Sequence, residues 1–221
     1  MNHITLNDLL QNERMQVYLK AGNAHLDTMG YTEHGKRHAK LCAEVAERIL
    51  RTLGYSEREA ELAAIAGYFH DVGNVVSRYD HGQTAAIITM GSLEAMGMPF
   101  QEVALVVSAI GNHEEEYGHP VNAVAAAMII ADKSDVHRSR VRNKDKAAFD
   151  IHDRVNYAVE KSALEIDADQ RKITLRLTID TGISSVMDYF EIFMIRMLMC
   201  RRAAAYLNCQ FAIYINDSKL L

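Results

Sequence analysis

The stretch Leu62-Ala63-Ala64-Ile65-Ala66-Gly67-Tyr68-Phe69-His70-Asp71-Val72-Gly73 sets a polar doublet, His70-Asp71, at the end of an otherwise apolar run. Just upstream, Ser56 followed three residues later by Glu59 is a capping box, the signature of a helix start. Leu62, Ala63, Ile65, Ala66 and Phe69 then continue the helix until Gly73 ends it. The doublet is therefore expected at the C-terminal end of a buried helix. A second doublet, His152-Asp153, serves as an internal control. It follows a basic, polar stretch and reads as a surface pair.

Outward from this helix the same periodicity recurs. Leu41, Cys42, Val45, Ile49 and Leu53 predict a helix from His38 to Leu53, capped by Gly54, so that His38 opens it. Further helices are predicted from Gln83 to Met96, from Phe100 to Asn112 and from Val121 to about Arg140, joined by Gly97 to Pro99 and Glu116 to Pro120. Pro99 and Pro120 are the only prolines, as expected for long helices with few rigid loops.

Past about Ser162 the pattern changes. Ile173, Leu175, Leu177 and Ile179 alternate with mostly polar residues, as in a half-buried strand, with Leu164 and Ile166 as a hairpin partner across Asp167 to Gln170. Gly182 to Leu207 reads as a long helix, and Phe211, Ile213 and Ile215 as a third strand. The expected fold is mainly α: a helical domain over residues 1–160 and a strand-strand-helix-strand α+β extension over 161–221. The methionines and aromatics of the tail helix (Met187, Met194, Met197, Met199, Tyr189, Phe190, Phe193) suit a packed core or a dimer face better than a cofactor box.

Composition narrows the classes of function. With 221 residues, 49% hydrophobic and 24% charged, the chain can bury a substantial core without disulfides. Cys42, Cys200 and Cys209 are odd in number and widely spaced, which suits neither a disulfide framework nor a thiolate zinc site. The first twenty residues do not read as a secretory signal, and the longest apolar run, Ala123 to Ala131, is far short of the about 18 residues a membrane span needs. A cytoplasmic protein with no membrane partner is expected. A formal charge of -5 argues against a dedicated nucleic-acid binder and leaves small anionic substrates open.

The chemistry lies in an ordered set: His38, His70-Asp71, His81, His113 and Asp132. Imidazole nitrogens mixed with carboxylate oxygens suit divalent iron, manganese, zinc, cobalt or nickel. Each residue falls at or near a predicted helix end, so a bundle can aim them at one point. The arrangement, with its local text Phe69-His70-Asp71-Val72-Gly73 and later Ala131-Asp132, resembles the HD-domain superfamily of metal-dependent phosphohydrolases over about residues 30 to 140. The resemblance implies an HD-type helical bundle, with His38, His70, Asp71 and Asp132 as metal ligands. It also matches His81 and His113 to the extra histidines of two-metal members, including those that hydrolyse diadenosine tetraphosphate, and so implies two ions per chain.

On that ligand set Asp71 bridges, His38, His70 and Asp132 complete one ion, and His81 and His113 hold the other. A metal-bridging hydroxide would then attack the phosphorus of a small phosphorylated substrate, such as a nucleotide, with Asp71 and His70 as the catalytic pair. Arg138, Lys133 and His34 are the expected substrate contacts: Arg138 for bidentate phosphate binding, Lys133 as neighbour of Asp132, and His34 one helical turn before His38. His119 is a further loop histidine near His113, placed to line the mouth of the site, and the acidic run Glu114 to Glu116 reads as a solvated loop or, alternatively, as the source of a carboxylate that supports a ligand. Asn74 stands where the family often has Lys, and no Gly-Tyr-Pro motif marks the cyclic-dinucleotide branch. Two other readings use the same residues: a catalytically silent metal- or nucleotide-binding sensor, and oxygen chemistry of the kind found in HD-like di-iron proteins. The exposed edge of the tail hairpin leads us to expect a homodimer.

Overall fold

Two helices, α3 (Lys36–Thr52) and α4 (Glu57–Phe69), form the hairpin on which the rest of the chain is built. Both halves of the Ser56–Glu59 capping box are present at the start of α4. Helix α3 buries His38, Ala39, Cys42, Ala43, Ala46, Ile49 and Leu50, one stripe at helical spacing. The two helices approach closely because Gly67 faces Cys42: a Cβ on Gly67 would lie 2.8 Å from the Cys42 carbonyl oxygen. That close crossing brings His38, one turn before Cys42, alongside His70, just past the end of α4.

The computed structural model describes residues 3–220. Ahead of the hairpin lie α1 (Leu6–Leu10) and α2 (Glu13–Thr28), for which the sequence reading offered no expectation. After it come a 3₁₀ turn (Val72–Val75), α5 (His81–Ala95), α6 (Phe100–Gly111) and α7 (Ala123–Lys133). Every residue of α7 from Val124 to Lys133 is buried, and the helix packs against α3, α4 and α6. A helix apolar on all sides belongs at the centre of a bundle, and its alanines let the neighbours approach. Gly73, in the 3₁₀ turn, sits directly against the start of α5, where any Cβ would collide with the His81 carbonyl and the Ala85 amide.

The predicted helix from Val121 to about Arg140 stops at Lys133. Beyond Ile130 only Ala131 and Val136 are apolar before Val141, so the repeat that holds a helix to the core is lost. The chain turns at Ser134, makes a short 3₁₀ segment at Arg138–Arg140 and reaches α8 (Ile151–Ala158), a helix the sequence reading missed. Helix α8 runs straight into the sheet.

Strands β1 (Val159–Asp167) and β2 (Lys172–Ile179) pair antiparallel with Leu164 opposite Leu175 and Ile166 opposite Ile173, as the alternation predicts. Helix α9 (Val186–Tyr206) starts at the Ser185–Asp188 capping box, a few residues later than Gly182, and carries the chain over to β3 (Gln210–Ile215), which lies parallel to β2. A short β4 (Ser218–Lys219) completes a four-stranded sheet in the order β1-β2-β3-β4. Tyr189, Phe193, Met197 and Met199 of α9 are buried, and the helix packs against α7 as well as the sheet. The methionine-aromatic stripe is thus largely core, with Met187, Met194 and Ile195 left exposed. Strand β1 forms an open edge whose exposed positions include Glu160, Lys161, Glu165 and Asp167, charges of the kind that discourage strand addition. Among the described residues no helix is long and apolar enough to cross a membrane.

Candidate metal centre

Five helix ends meet at one buried point. His38 comes from the first turn of α3, His70 and Asp71 from the end of α4, His81 from the start of α5, His113 from just beyond α6, and Asp132 from the last turn of α7. All six are buried. Nε2 of His38 and Nε2 of His70 lie 3.3 Å apart. Oδ1 of Asp132 is 3.4 Å from the first and 3.6 Å from the second, while Oδ2 of Asp71 is 3.6 and 3.3 Å from them. The other Asp71 oxygen, Oδ1, is 3.3 Å from Nε2 of His81, which in turn is 3.1 Å from Nε2 of His113. Atoms bound tetrahedrally to one ion at about 2.0–2.1 Å lie about 3.3–3.4 Å from one another. The first group, at 3.3–3.6 Å, and the two contacts of the second, at 3.1 and 3.3 Å, come close to that spacing.

The orientation of the four imidazoles follows from what their other nitrogens face. Nδ1 of His70 is 2.9 Å from the Gly67 carbonyl, Nδ1 of His81 3.1 Å from that of Arg78, and Nδ1 of His113 2.6 Å from that of Ile110. A carbonyl only accepts, so each Nδ1 carries a hydrogen and each Nε2 is the nitrogen turned to the centre, where a metal ion would take the place of any proton it holds. In His38 the corresponding partner is a carboxylate, Oδ2 of Asp135 at 2.7 Å. Such outer partners fix the tautomer and raise ligand basicity.

The electrostatics favour a cation. Burial opposes charge on His70, yet the carboxylates of Asp71 and Asp132 outweigh it and raise its pKa to about 10. Burial likewise resists the charges of Asp71 and Asp132. His70 overrides it in the first case, and Lys133 with His70 in the second, so both carboxyls fall well below their usual range. Oδ2 of Asp71 is buried without a hydrogen-bond partner, an expense a fold retains where a cation satisfies the oxygen. Cys42 adjoins this set: its sulfur is 3.7 and 3.6 Å from the two nitrogens of His38, within reach of an ion shared with His38, His70 and Asp132, and burial pushes its thiol pKa up.

Around the centre the expectations divide. Lys133 is buried, with Nζ 2.7 Å from Oδ2 of Asp132, the oxygen turned away from the histidines. His34 precedes α3 instead of lying on it, but its ring still stacks edge-on against His38 at 5.5 Å, and it lines the cleft above the centre. Burial and Arg140 hold its pKa well below the usual value. Arg138 points elsewhere: its guanidinium donates to Glu160 at 3.0 Å and lies over Tyr157 at 5.3 Å, away from the cleft lining. The chain leaves helical geometry at Ser134, so six residues past Asp132 no longer means a similar face. Arg140, two residues on, is the one turned inward. Its Nη1 donates to the Asp135 carbonyl at 2.7 Å.

Two residues of the acidic run, Glu114 and Glu115, are engaged, while Glu116 is exposed. Glu114 Oε1 accepts from the Gly82 amide at the start of α5 and lies 3.5 Å from Nδ1 of His81, while Glu115 accepts from Arg196 Nε at 2.6 Å. His119 is exposed and outside the cleft lining. His152 is exposed as expected, but Asp153 is buried and both line the cleft, a correction to the surface-pair reading. Asp135 was the residue with a role most plainly overlooked. Its position three residues after Asp132 was visible, but its contact with His38 depends on the turn at Ser134.

The cleft has a volume of about 860 Å³, within the about 300–1,000 Å³ of small-molecule sites. Asp71, His81, His113 and Asp132 form part of its lining, Tyr31, Tyr79 and Tyr117 contribute aromatic wall, and Phe193 and Arg196 enter from α9.

The chain is similar to known proteins in sequence and in fold. An uncharacterized protein of Methanocaldococcus jannaschii is 24% identical over 206 residues, covering 82% of this chain and 79% of the relative. A crystal structure of a predicted HD superfamily hydrolase from an uncultured Thermotogales bacterium is similar over 61% of this chain and 75% of that one, with 22% identity and a TM-score of 0.46. The HD domain model matches residues 33–189, which takes in the six converging residues, the hairpin β1–β2 and the first turn of α9. This chain belongs to the HD domain family.

Proposed function

We propose that the protein is a two-metal phosphohydrolase acting on a phosphate ester or anhydride of a small molecule, a nucleotide in the first instance. The observation that carries the reading is the division of Asp71. One oxygen faces His38 and His70, the other faces His81, whose Nε2 adjoins that of His113, and the first of these oxygens is a buried orphan. A carboxylate so placed is suited to bridging two ions. Divalent iron, manganese, zinc, cobalt or nickel would supply Lewis acidity and an activated water at such a centre. The chain itself supplies the fixed lone pairs of four histidines, the charge of Asp71 and Asp132, and Lys133, which holds the outer oxygen of Asp132 in place.

The volume and the aromatic walls of the cleft suit a substrate of nucleotide size, with Lys133 and His34 beside its reacting end; the many carboxylates of the lining call for cations to accompany an anionic substrate. Residues 161–221 shape this cleft through Phe193, Ile195 and Arg196 of α9. The test is elemental analysis of freshly purified protein alongside phosphate release from a panel of nucleotides and simple phosphomonoesters. About two metals per chain together with release from some of the panel supports the reading. Bound metal without release from any of them would favour the sensor, and redox-active iron without release the oxygen chemistry.

A further inference from the structure

Among the described residues, the cleft wall carries four side chains with permanent cationic groups: Arg78, Lys133, Arg140 and Arg196. Three are committed to carboxylates. Lys133 is 2.7 Å from Asp132, Arg140 is 3.7 Å from Asp135, and Arg196 is 2.6 Å from Glu115. Arg78 is different. No described carboxylate oxygen comes within 4.0 Å of its half-buried guanidinium. Its neighbours are the Tyr31 ring, with the guanidinium carbon 5.4 Å from the centroid, and Nε2 of His81, 3.3 Å from Nη1.

The second contact is the informative one. Nε2 of His81 holds the lone pair directed at the centre, beside Nε2 of His113 and Oδ1 of Asp71. A guanidinium only donates, so Nη1 turns its hydrogen to that lone pair; a metal ion held by His81 would take the lone pair and leave the guanidinium beside it without a carboxylate partner of its own. Two cations at that spacing repel unless an anion lies between them. The anion must reach both with separate oxygens, which a phosphoryl group does and which the fork of a guanidinium matches.

We propose that Arg78 is the phosphate clamp of this cleft, binding non-bridging oxygens of the substrate's phosphoryl group on the His81–His113 side. The assignment rests on the phosphohydrolase reading above. It also places the clamp on the loop between the 3₁₀ turn and α5, three residues before His81, so that the same segment orients ligand and substrate together.

The experiment is calorimetric titration of inorganic phosphate into the metal-loaded full-length protein, for the wild type, Arg78→Ala and Arg78→Lys, with elemental analysis of each. Arg78→Ala should weaken phosphate binding by about 10- to 100-fold at unchanged metal content, the loss of charge-assisted hydrogen bonds. Arg78→Lys should recover part of it, because an ammonium restores the charge but not the fork. Phosphate binding by Arg78→Ala equal to that of the wild type overturns the proposal. So does a joint loss of metal and phosphate, which would make Arg78 a support for His81. A wild type that binds no phosphate overturns it as well. If the wild type binds phosphate through Arg78 yet hydrolyses no ester or anhydride, the clamp stands and the hydrolase reading falls.

Discussion

Oδ2 of Asp135 lies 2.7 Å from Nδ1 of His38, joining residues 97 positions apart in the chain. The carboxylate is itself held by Arg37, whose Nη2 donates to it at 2.8 Å, and by Arg140 at 3.7 Å. Burial resists its charge, but Arg140 and His38 prevail and keep its pKa far below the usual carboxylate value. Asp135→Asn leaves the shape and removes the charge that orients and enriches the His38 lone pair. Metal affinity is expected to fall about 10- to 100-fold, measured by competition with a chelator. Unchanged affinity would reduce Asp135 to a structural residue.

Asp71 and His81 separate the two halves of the centre. Asp71→Ala should bring phosphate release down to background, because no other carboxylate spans both groups of donors. His81→Ala should lower the metal content from about two to about one per chain while leaving the His38, His70 and Asp132 group loaded. Elemental analysis of both variants beside the wild type checks this. One metal in wild type and His81→Ala alike would leave a single-ion site.

Gly73 tests the packing that delivers His81. With a Cβ at this position the His81 carbonyl and the Ala85 amide must move, so α5 shifts. Gly73→Ala should cost about 1 to 3 kcal/mol of stability, the range for overpacked interiors, and weaken metal retention in the same protein. Thermal unfolding and metal counting on one preparation read both. A variant as stable as the wild type would mean that α5 yields without effort.

An acid limb is expected from Glu102. Arg58 of α4 donates to it at 2.9 Å across to α6 and also binds the Ile4 carbonyl, tying the N-terminal segment to two helix starts. The hydrogen bond from Arg58 outweighs partial burial and holds the Glu102 carboxyl below its ordinary value of 4.5. A depressed pKa in the folded state contributes stability above the unfolded value and loses it as the pH falls through the folded one. Glu102→Gln should therefore destabilise the protein by about 1 kcal/mol at pH 7. The gap from wild type should shrink as the pH is taken below 4.5. Melting curves at the two pH values decide it, and a gap that widens on acidification would contradict the assignment.

Arg138 provides a contrast. Paired with Glu160 on the exposed side of β1, it should tolerate replacement by alanine with metal content unchanged and a stability cost of about 1 kcal/mol or less, as for surface ion pairs. Catalytic efficiency should follow suit. A large loss of kcat/KM would restore it to the substrate contacts.

The sequence by itself determined the helices that carry the centre and the six residues that meet there. The helices follow from local rules, since apolar spacing marks which face is buried; the six residues are marked by their order along the chain and by the HD-domain resemblance that this order carries. The capping box at Ser56 and the alternation of Ile173 to Ile179 were legible for the same reason as the helices, whereas the Ser185 box that starts α9 was not read. The tertiary structure alone decided which oxygen of Asp71 faces which histidines, that Asp135 returns to His38, and that Arg140 and Arg78 face the cleft while Arg138 does not. These depend on the turn at Ser134 and on the close approaches at Gly67 and Gly73. The direction of a side chain after a helix has ended is set by contacts between segments far apart in the chain, and no local period encodes it.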